Sequence, residues 1–199
     1  MELVIAIIAA YLLGSIPFGL ITGKIWANVD VREFGSGNIG MSNVLRTLGP
    51  IPALIVLLFD AGKGFFAVTL GRQLFTDPTW WLVLGIVAIA GHNWSIFLGF
   101  KGGRGVATTA GVLLAISPFI ALVLVGIWLL SLAISRYISL SSIIAVSALP
   151  IIFYFLDYPI TYFWLGLLIS IFTIFRHRPN IQRLMAGTEY KFGEKGQRN

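Results

Sequence analysis

Residues 105–135 read GVATTAGVLLAISPFIALVLVGIWLLSLAIS, 31 positions without a Lys, Arg, Asp or Glu. As one helix at 1.5 Å per residue the run would be about 46 Å long, too long for one crossing of a hydrocarbon layer about 30 Å thick and short for two ideal ones. Ser117-Pro118 sits near its middle. A proline removes a backbone donor and biases the residue before it away from helix, so the run is expected to break there. The number of crossings decides on which side everything downstream lies. One kinked crossing would put Arg176, Arg178, Arg183, Lys191, Lys195 and Arg198 opposite the cluster of Lys24, Arg32 and Arg46. Two shorter crossings gather twelve of the fourteen Lys and Arg residues on one side, with Arg72 on the other and Lys63 inside a span. Positive charge collects on cytoplasmic loops, which favours the second arrangement.

Outward from this stretch, Leu3 to Gly23, Pro78 to Phe100, Tyr137 to Leu156 and Tyr158 to Phe175 are also free of charged residues. The whole chain of 199 residues is 57% hydrophobic and 11% charged, with mean hydropathy +0.90, whereas soluble domains carry roughly 25% charged residues. A soluble globular enzyme is excluded. The expected fold is an all-α integral membrane protein with seven transmembrane helices, some short or broken, the N-terminus outside and the C-terminus cytoplasmic. The expected helix cores are 3–23, 51–71, 79–100, 105–117, 118–135, 139–156 and 159–175. The first run follows an acidic start, lacks a small-residue cleavage site and leads into more apolar sequence, which marks it as a retained helix rather than a signal peptide. With no fixed repeat and no linker, residues 1–199 read as one polytopic membrane domain with a cytoplasmic-face active site. The absence of cysteine excludes disulfides and thiol nucleophiles. The net charge of +6 lies on short loops between spans, where it suits anionic lipid head groups and not nucleic acid.

Three of those loops hold more than charge. The first, Phe34-Gly-Ser-Gly-Asn-Ile-Gly-Met-Ser-Asn-Val-Leu-Arg46, is rich in glycine and small polar residues. Glycines such as Gly37 let backbone N–H groups converge on an anion; Ser36, Asn38, Ser42 and Asn43 add neutral donors, and Arg46 adds a planar cation suited to phosphate. A flexible turn would also be glycine-rich, but helix-to-helix turns use about 2 to 8 residues. The second loop follows Gly91-His-Asn-Trp94 and reads Phe100-Lys-Gly-Gly-Arg-Gly-Val-Ala-Thr-Thr109. Lys101, Gly102, Gly103, Arg104 and Gly105 run directly into a helix start, a recurrent phosphate-holding arrangement. It lacks the Gly-Lys-Ser/Thr of nucleotide hydrolases. The third, Arg176-His-Arg-Pro-Asn-Ile-Gln-Arg-Leu-Met-Ala-Gly-Thr-Glu189, carries His177 between two arginines, which favour the neutral, proton-accepting imidazole.

Within the spans, Asp60 and Lys63 lie three apart, close enough to pair as a structural lock. His92, near a helix end, is accounted for by packing about as well as by chemistry. Ser139, Ser141 and Ser142 open the sixth helix, where serines most often act as caps, although one can add a hydroxyl to a site. Two anion cradles, several arginines and one histidine at a lipid-facing rim point to a phosphorylated substrate with a fatty partner. A small-anion transporter would want similar residues but tends to show paired halves and a midplane site. A metal-dependent phosphatidyl transferase needs clustered aspartates, and Asp30, Asp60, Asp77 and Asp157 are dispersed.

At these residues the chain resembles the bacterial acyl-phosphate:glycerol-3-phosphate acyltransferases, the PlsY family. The resemblance covers nearly the whole chain. It rests on Ser36-Gly-Asn-Ile-Gly-Met-Ser-Asn43 with Arg46, on Gly91-His92 through Phe97 to Gly102-Gly-Arg-Gly105 with Ala107-Thr108, and on His177 and Asn180 through Arg183 to Gly187-Thr-Glu189. Arg104 stands where the family commonly has lysine and Ser42 where it commonly has threonine; charge and hydroxyl are retained. The resemblance implies transfer of an acyl group from acyl phosphate to the 1-hydroxyl of glycerol 3-phosphate in the bacterial inner membrane. The products would be 1-acylglycerol 3-phosphate and phosphate, in the first committed step of phospholipid synthesis. It implies no cofactor, no metal and no acyl-CoA, and a functional link to an enzyme that forms acyl phosphate. Carried onto these residues, Lys101, Gly102, Gly103, Arg104 and Gly105 would hold glycerol 3-phosphate, and Ser36, Gly37, Asn38 and Arg46 the acyl phosphate, with Ser42 and Asn43 nearby. His177 and Asn180 would orient the attacking hydroxyl, Ser142 would add a hydrogen bond, and Glu189 with Arg183 would hold the third loop. Either His177 or the departing phosphate would take the hydroxyl proton.

Overall fold

The computed structural model describes residues 1–196; Arg198, grouped above with the cytoplasmic charge, lies outside them. The described residues form eleven α-helices: α1 Glu2–Ser15, α2 Phe18–Ala27, α3 Met41–Leu48, α4 Pro50–Leu74, α5 Pro78–Asn93, α6 Val106–Ile116, α7 Pro118–Ser135, α8 Ile138–Ser147, α9 Leu149–Phe155, α10 Ile160–Arg176 and α11 Arg178–Met185. Two 3-10 turns, Val31–Glu33 and Ile96–Leu98, sit in the first two loops.

The break inside residues 105–135 falls at the proline. α6 stops at Ile116, Ser117 turns to extended backbone (φ −153°, ψ 103°) and α7 begins at Pro118. The Ser117 hydroxyl accepts from the Ile120 N–H and lies 3.0 Å from the Tyr158 hydroxyl. A second proline acts where the sequence reading has one continuous helix: α1 ends at Ser15, Pro17 precedes α2, and the interrupted segment runs on to Ala27. Hydropathy is blind to that break because no charge marks it.

Among the described residues, five segments are long and apolar enough to cross a membrane: Glu2–Ala27, Pro50–Leu74, Pro78–Leu98, Pro118–Ser135 and Ile138–Phe155. α10 and α11, bent by 59° at His177, make a sixth if taken together. The expectation of seven is therefore met in part. α6 has 11 residues, and at 1.5 Å each it reaches about 16 Å, short of the hydrocarbon thickness.

Contacts divide the chain into two compact units, Met1–Val112 with the segment from Gly193, and Leu113–Phe192. In the first, α1 lies on α5 through polar bonds between close backbones. Tyr11 donates to the Trp94 carbonyl (2.7 Å), Ser15 to that of Gly91 (3.3 Å) and Ser95 to that of Ser15 (2.6 Å). α6 rides on α4 at two glycines: a Cβ on Gly64 would strike the Thr108 carbonyl, and one on Gly111 the Ala61 carbonyl. Small residues of this kind let helices approach where lipid offers no hydrophobic drive. α3 is amphipathic; Val44 joins Val31, Ile39, Ala53 and Val56 in a buried cluster, with Leu98 packed against it. That cluster pins the first loop to α4 and seats the second loop beside it. In the second unit, Ser170 on α10 donates to the Val146 carbonyl of α8 (2.8 Å), Gly166 fits against Pro150, and Phe153 is fully buried beside Tyr158 and Tyr162.

Candidate active site

The first loop is held from inside. Gly35 and Gly37 take left-handed backbone (φ +55° and +67°), which turns the chain back over α3. Asn43, 1% exposed, accepts from the Ser36 N–H (2.9 Å) and hydroxyl (3.2 Å) and donates to the Val31 carbonyl (2.8 Å). Both ends of its amide are engaged within the loop, so Asn43 is a brace that presents Ser36. Asn38 accepts from the Gly40 N–H (2.8 Å), a turn that leads into α3. Ser42 and Arg46 lie on α3, both partly buried, and the Arg46 carbonyl accepts from the Gly196 N–H at 3.1 Å. Nearby Arg32 is committed to Asp30 at 2.6 Å, and its guanidinium hydrogen bonds hold the Asp30 carboxyl below the usual carboxylate range.

The second loop is folded onto His92. The Gly103 N–H donates to the His92 carbonyl (2.9 Å). Gly102 and Gly103 are buried so closely that a Cβ on Gly102 would strike that carbonyl and one on Gly103 the imidazole ring. Arg104 is partly buried and Lys101 exposed. Gly105 (φ +78°) closes the loop and α6 starts at the next residue, so the helix N-terminus and its N–H groups adjoin the cradle. Beneath it, His92 Nδ1 lies 3.5 Å from Asp60, Asp60 pairs with Lys63 at 2.8 Å, and Lys63 Nζ donates to the Ile16 carbonyl at the α1–α2 break (3.0 Å).

The second unit holds the third loop. His177 is 2% exposed at the α10–α11 bend, and its Nδ1 lies 2.8 Å from the Thr173 carbonyl. A carbonyl only accepts, so Nδ1 carries the hydrogen and Nε2 is the acceptor of the neutral ring. Glu189, 6% exposed, gathers its neighbours: one oxygen accepts from Ser139 (2.8 Å) and Asn180 Nδ2 (2.7 Å), the other from Arg183 Nε (2.7 Å). Because the carboxylate fixes which end of the Asn180 amide is Nδ2, the other end is an acceptor, and Asn180 Oδ1 is buried without a hydrogen-bond partner. An acceptor left dry in this way suits an incoming hydroxyl.

The α8 serines do not cap their helix. Ser141 and Ser142 donate one turn back to the carbonyls of Tyr137 and Ile138, and Ser139 reaches Glu189. Ser142 also accepts from Trp128 Nε1 at 3.1 Å. Its proton is engaged, so donation to a phosphate requires the hydroxyl to rotate. Sequence reasoning did not single out Thr173 or Trp128. The four-residue spacing from Thr173 to His177 is the signal for the first; nothing in the sequence signals the second.

The sequence model of the family described as glycerol-3-phosphate acyltransferase matches residues 4–187. A glycerol-3-phosphate acyltransferase of Synechococcus sp. (strain JA-2-3B'a(2-13)) is 46% identical over 96% of this chain and 95% of its own. Glycerol-3-phosphate acyltransferase 2 of Moorella thermoacetica is 48% identical over 96% and 98%. Among solved structures, the glycerol 3-phosphate form of PlsY, an integral membrane glycerol 3-phosphate acyltransferase, superposes with a TM-score of 0.92 at 39% identity, covering 97% of this chain and 96% of that one. Its lysophosphatidic acid form gives 0.90 at 38% identity, with the same coverage. With the family match running through the first two loops and most of the third, this chain belongs to the glycerol-3-phosphate acyltransferase family of integral membrane enzymes.

Proposed function

We propose that the chain transfers a fatty acyl group from acyl phosphate to the 1-hydroxyl of glycerol 3-phosphate. The hydroxyl oxygen attacks the acyl carbonyl carbon, the bond from that carbon to the phosphate oxygen breaks, and 1-acylglycerol 3-phosphate and inorganic phosphate leave. Acyl phosphate is an activated anhydride with a good leaving group, so positioning and charge stabilisation supply the acceleration without a covalent acyl-enzyme. The observation that carries the reading is the pair of glycine-built loops of the first unit, braced by Asn43 and His92 and flanked by cations.

Lys101, Gly102, Gly103, Arg104 and Gly105 hold the glycerol phosphate. Ser36, Gly37, Asn38, Ser42 and Arg46 receive the acyl phosphate and its developing charge. His177 Nε2 and Asn180 Oδ1 orient the hydroxyl, Ser142 adds a hydrogen bond after rotating, and the proton passes to His177 or to the departing phosphate. Glu189 and Arg183 support this group, and Asp60 and Lys63 act as a structural lock. The domain makes seven passages when the short α6 is counted, N-terminus outside and C-terminus cytoplasmic, in the inner membrane of a bacterium. Acyl phosphate reaches it from an enzyme that makes that anhydride.

Purified protein in lipid, given acyl phosphate and glycerol 3-phosphate with and without a chelator, tests this. The expected result is lysophosphatidic acid and phosphate in equal amounts, indifferent to the chelator and to acyl-CoA. Turnover that depends on acyl-CoA or on a chelatable metal overturns it.

A further inference from the structure

Three ionisable side chains of the first unit are buried together outside the reacting groups named above. Asp60, Lys63 and His92 have side chains 2%, 1% and 4% exposed. They come from two helices, and through Lys63 they reach the Ile16 carbonyl that the proline break leaves at the end of α1. Burying such charges is costly, and an apolar contact would join the helices as well. What an apolar contact lacks is direction. Asp60 faces Nδ1 of the His92 ring, the Nε2 edge faces Gly103, and the carbonyl of the same residue holds the Gly103 N–H and lies against Gly102.

We infer that Asp60, Lys63 and His92 are positioning residues for the glycerol 3-phosphate cradle. The ion pair fixes the imidazole, and the imidazole and its carbonyl fix where Gly102 and Gly103 present their backbone. This rests on the reading of the second loop as the glycerol 3-phosphate site. It also gives Gly103 a reason: the ring occupies the space that any side chain there would need.

The test measures kcat and the KM of each substrate for His92→Ala, His92→Gln, Asp60→Asn and Lys63→Met in lipid, on the folded fraction isolated by size exclusion. His92→Ala is expected to raise the glycerol 3-phosphate KM about tenfold or more while the acyl phosphate KM stays within about threefold, with His92→Gln partly restoring it and Asp60→Asn and Lys63→Met in between. A purely structural role would lower the yield of folded protein and leave the KM values of what remains unchanged. Gly103→Ala supplies an independent arm. Its effect on the same KM is expected to shrink several-fold in the His92→Ala background, because the ring it meets is gone. A glycerol 3-phosphate KM within twofold of wild type in His92→Ala, or both KM values rising together, overturns the inference. If His92→Ala does not fold, the near-isosteric Asp60→Asn is judged by the same criterion. Wild-type protein that neither binds nor acylates glycerol 3-phosphate overturns the functional reading itself, a result seen before any variant is made.

Discussion

The Thr173 carbonyl settles the tautomer of His177, and with it the one ring atom able to take a proton from a substrate hydroxyl. If His177 is the base, His177→Ala lowers kcat by about 10²-fold or more and removes the acidic limb of its pH profile. If the leaving phosphate takes the proton, rate and profile both survive; turnover measured against pH separates the two. Glu189 makes a different prediction. It is buried, and it gathers Arg183, Asn180 and Ser139. Glu189→Ala strands a largely buried guanidinium and two donors, a loss of about 3 kcal/mol or more by analogy with broken buried pairs. It is expected to appear first as a lowered unfolding temperature in detergent; a variant that unfolds normally and loses only the chemical step would make Glu189 a catalytic group. At this scale the sequence was legible in residue type but not in role. Asn38 and Asn43 sit five apart in the same loop, and only the fold distinguishes the one that turns the chain into α3 from the one that braces Ser36.

Helices in this chain meet where side chains are missing. Gly111 lies against the Ala61 carbonyl and Gly64 against that of Thr108, so α4 and α6 approach nearly backbone to backbone. A methyl at Gly111 forces them apart, and Gly111→Ala is expected to cost about 1–3 kcal/mol through overpacking, read as a lower yield of monodisperse protein and a lower unfolding temperature. Gly126 on α7 has nothing within reach of an added Cβ, so Gly126→Ala is the matched control and should be neutral or slightly stabilising. Element boundaries were legible where chemistry marks them, as at Ser117-Pro118. They were hidden where an apolar run carries a proline and no charge: Pro17 follows the end of α1, and the expected span 139–156 is likewise interrupted at Ala148, just ahead of Pro150. The short length of α6 was legible to within a residue at each end: the expected core 105–117 becomes Val106–Ile116, because Gly105, at φ +78°, belongs to the loop and Ser117 to the break.

For the molecule as a whole, composition alone separates a membrane enzyme from a soluble one, and the charge distribution proposes an orientation. A chain without cysteine makes that orientation directly measurable. Glu2→Cys is expected to react with an impermeant maleimide in intact cells, and Lys195→Cys only after permeabilisation. The reverse pattern, or equal labelling of both, would reject the proposed topology. The segment from Gly193 carries a practical consequence. Gly196 hydrogen-bonds the Arg46 carbonyl and lies against Gly35, whereas Met1 is wholly exposed. An affinity tag joined directly after Gly196 would therefore start beside the loop assigned to the acyl donor, where it can depress apparent turnover for reasons unrelated to any substitution under study; a purification handle is better placed away from that segment.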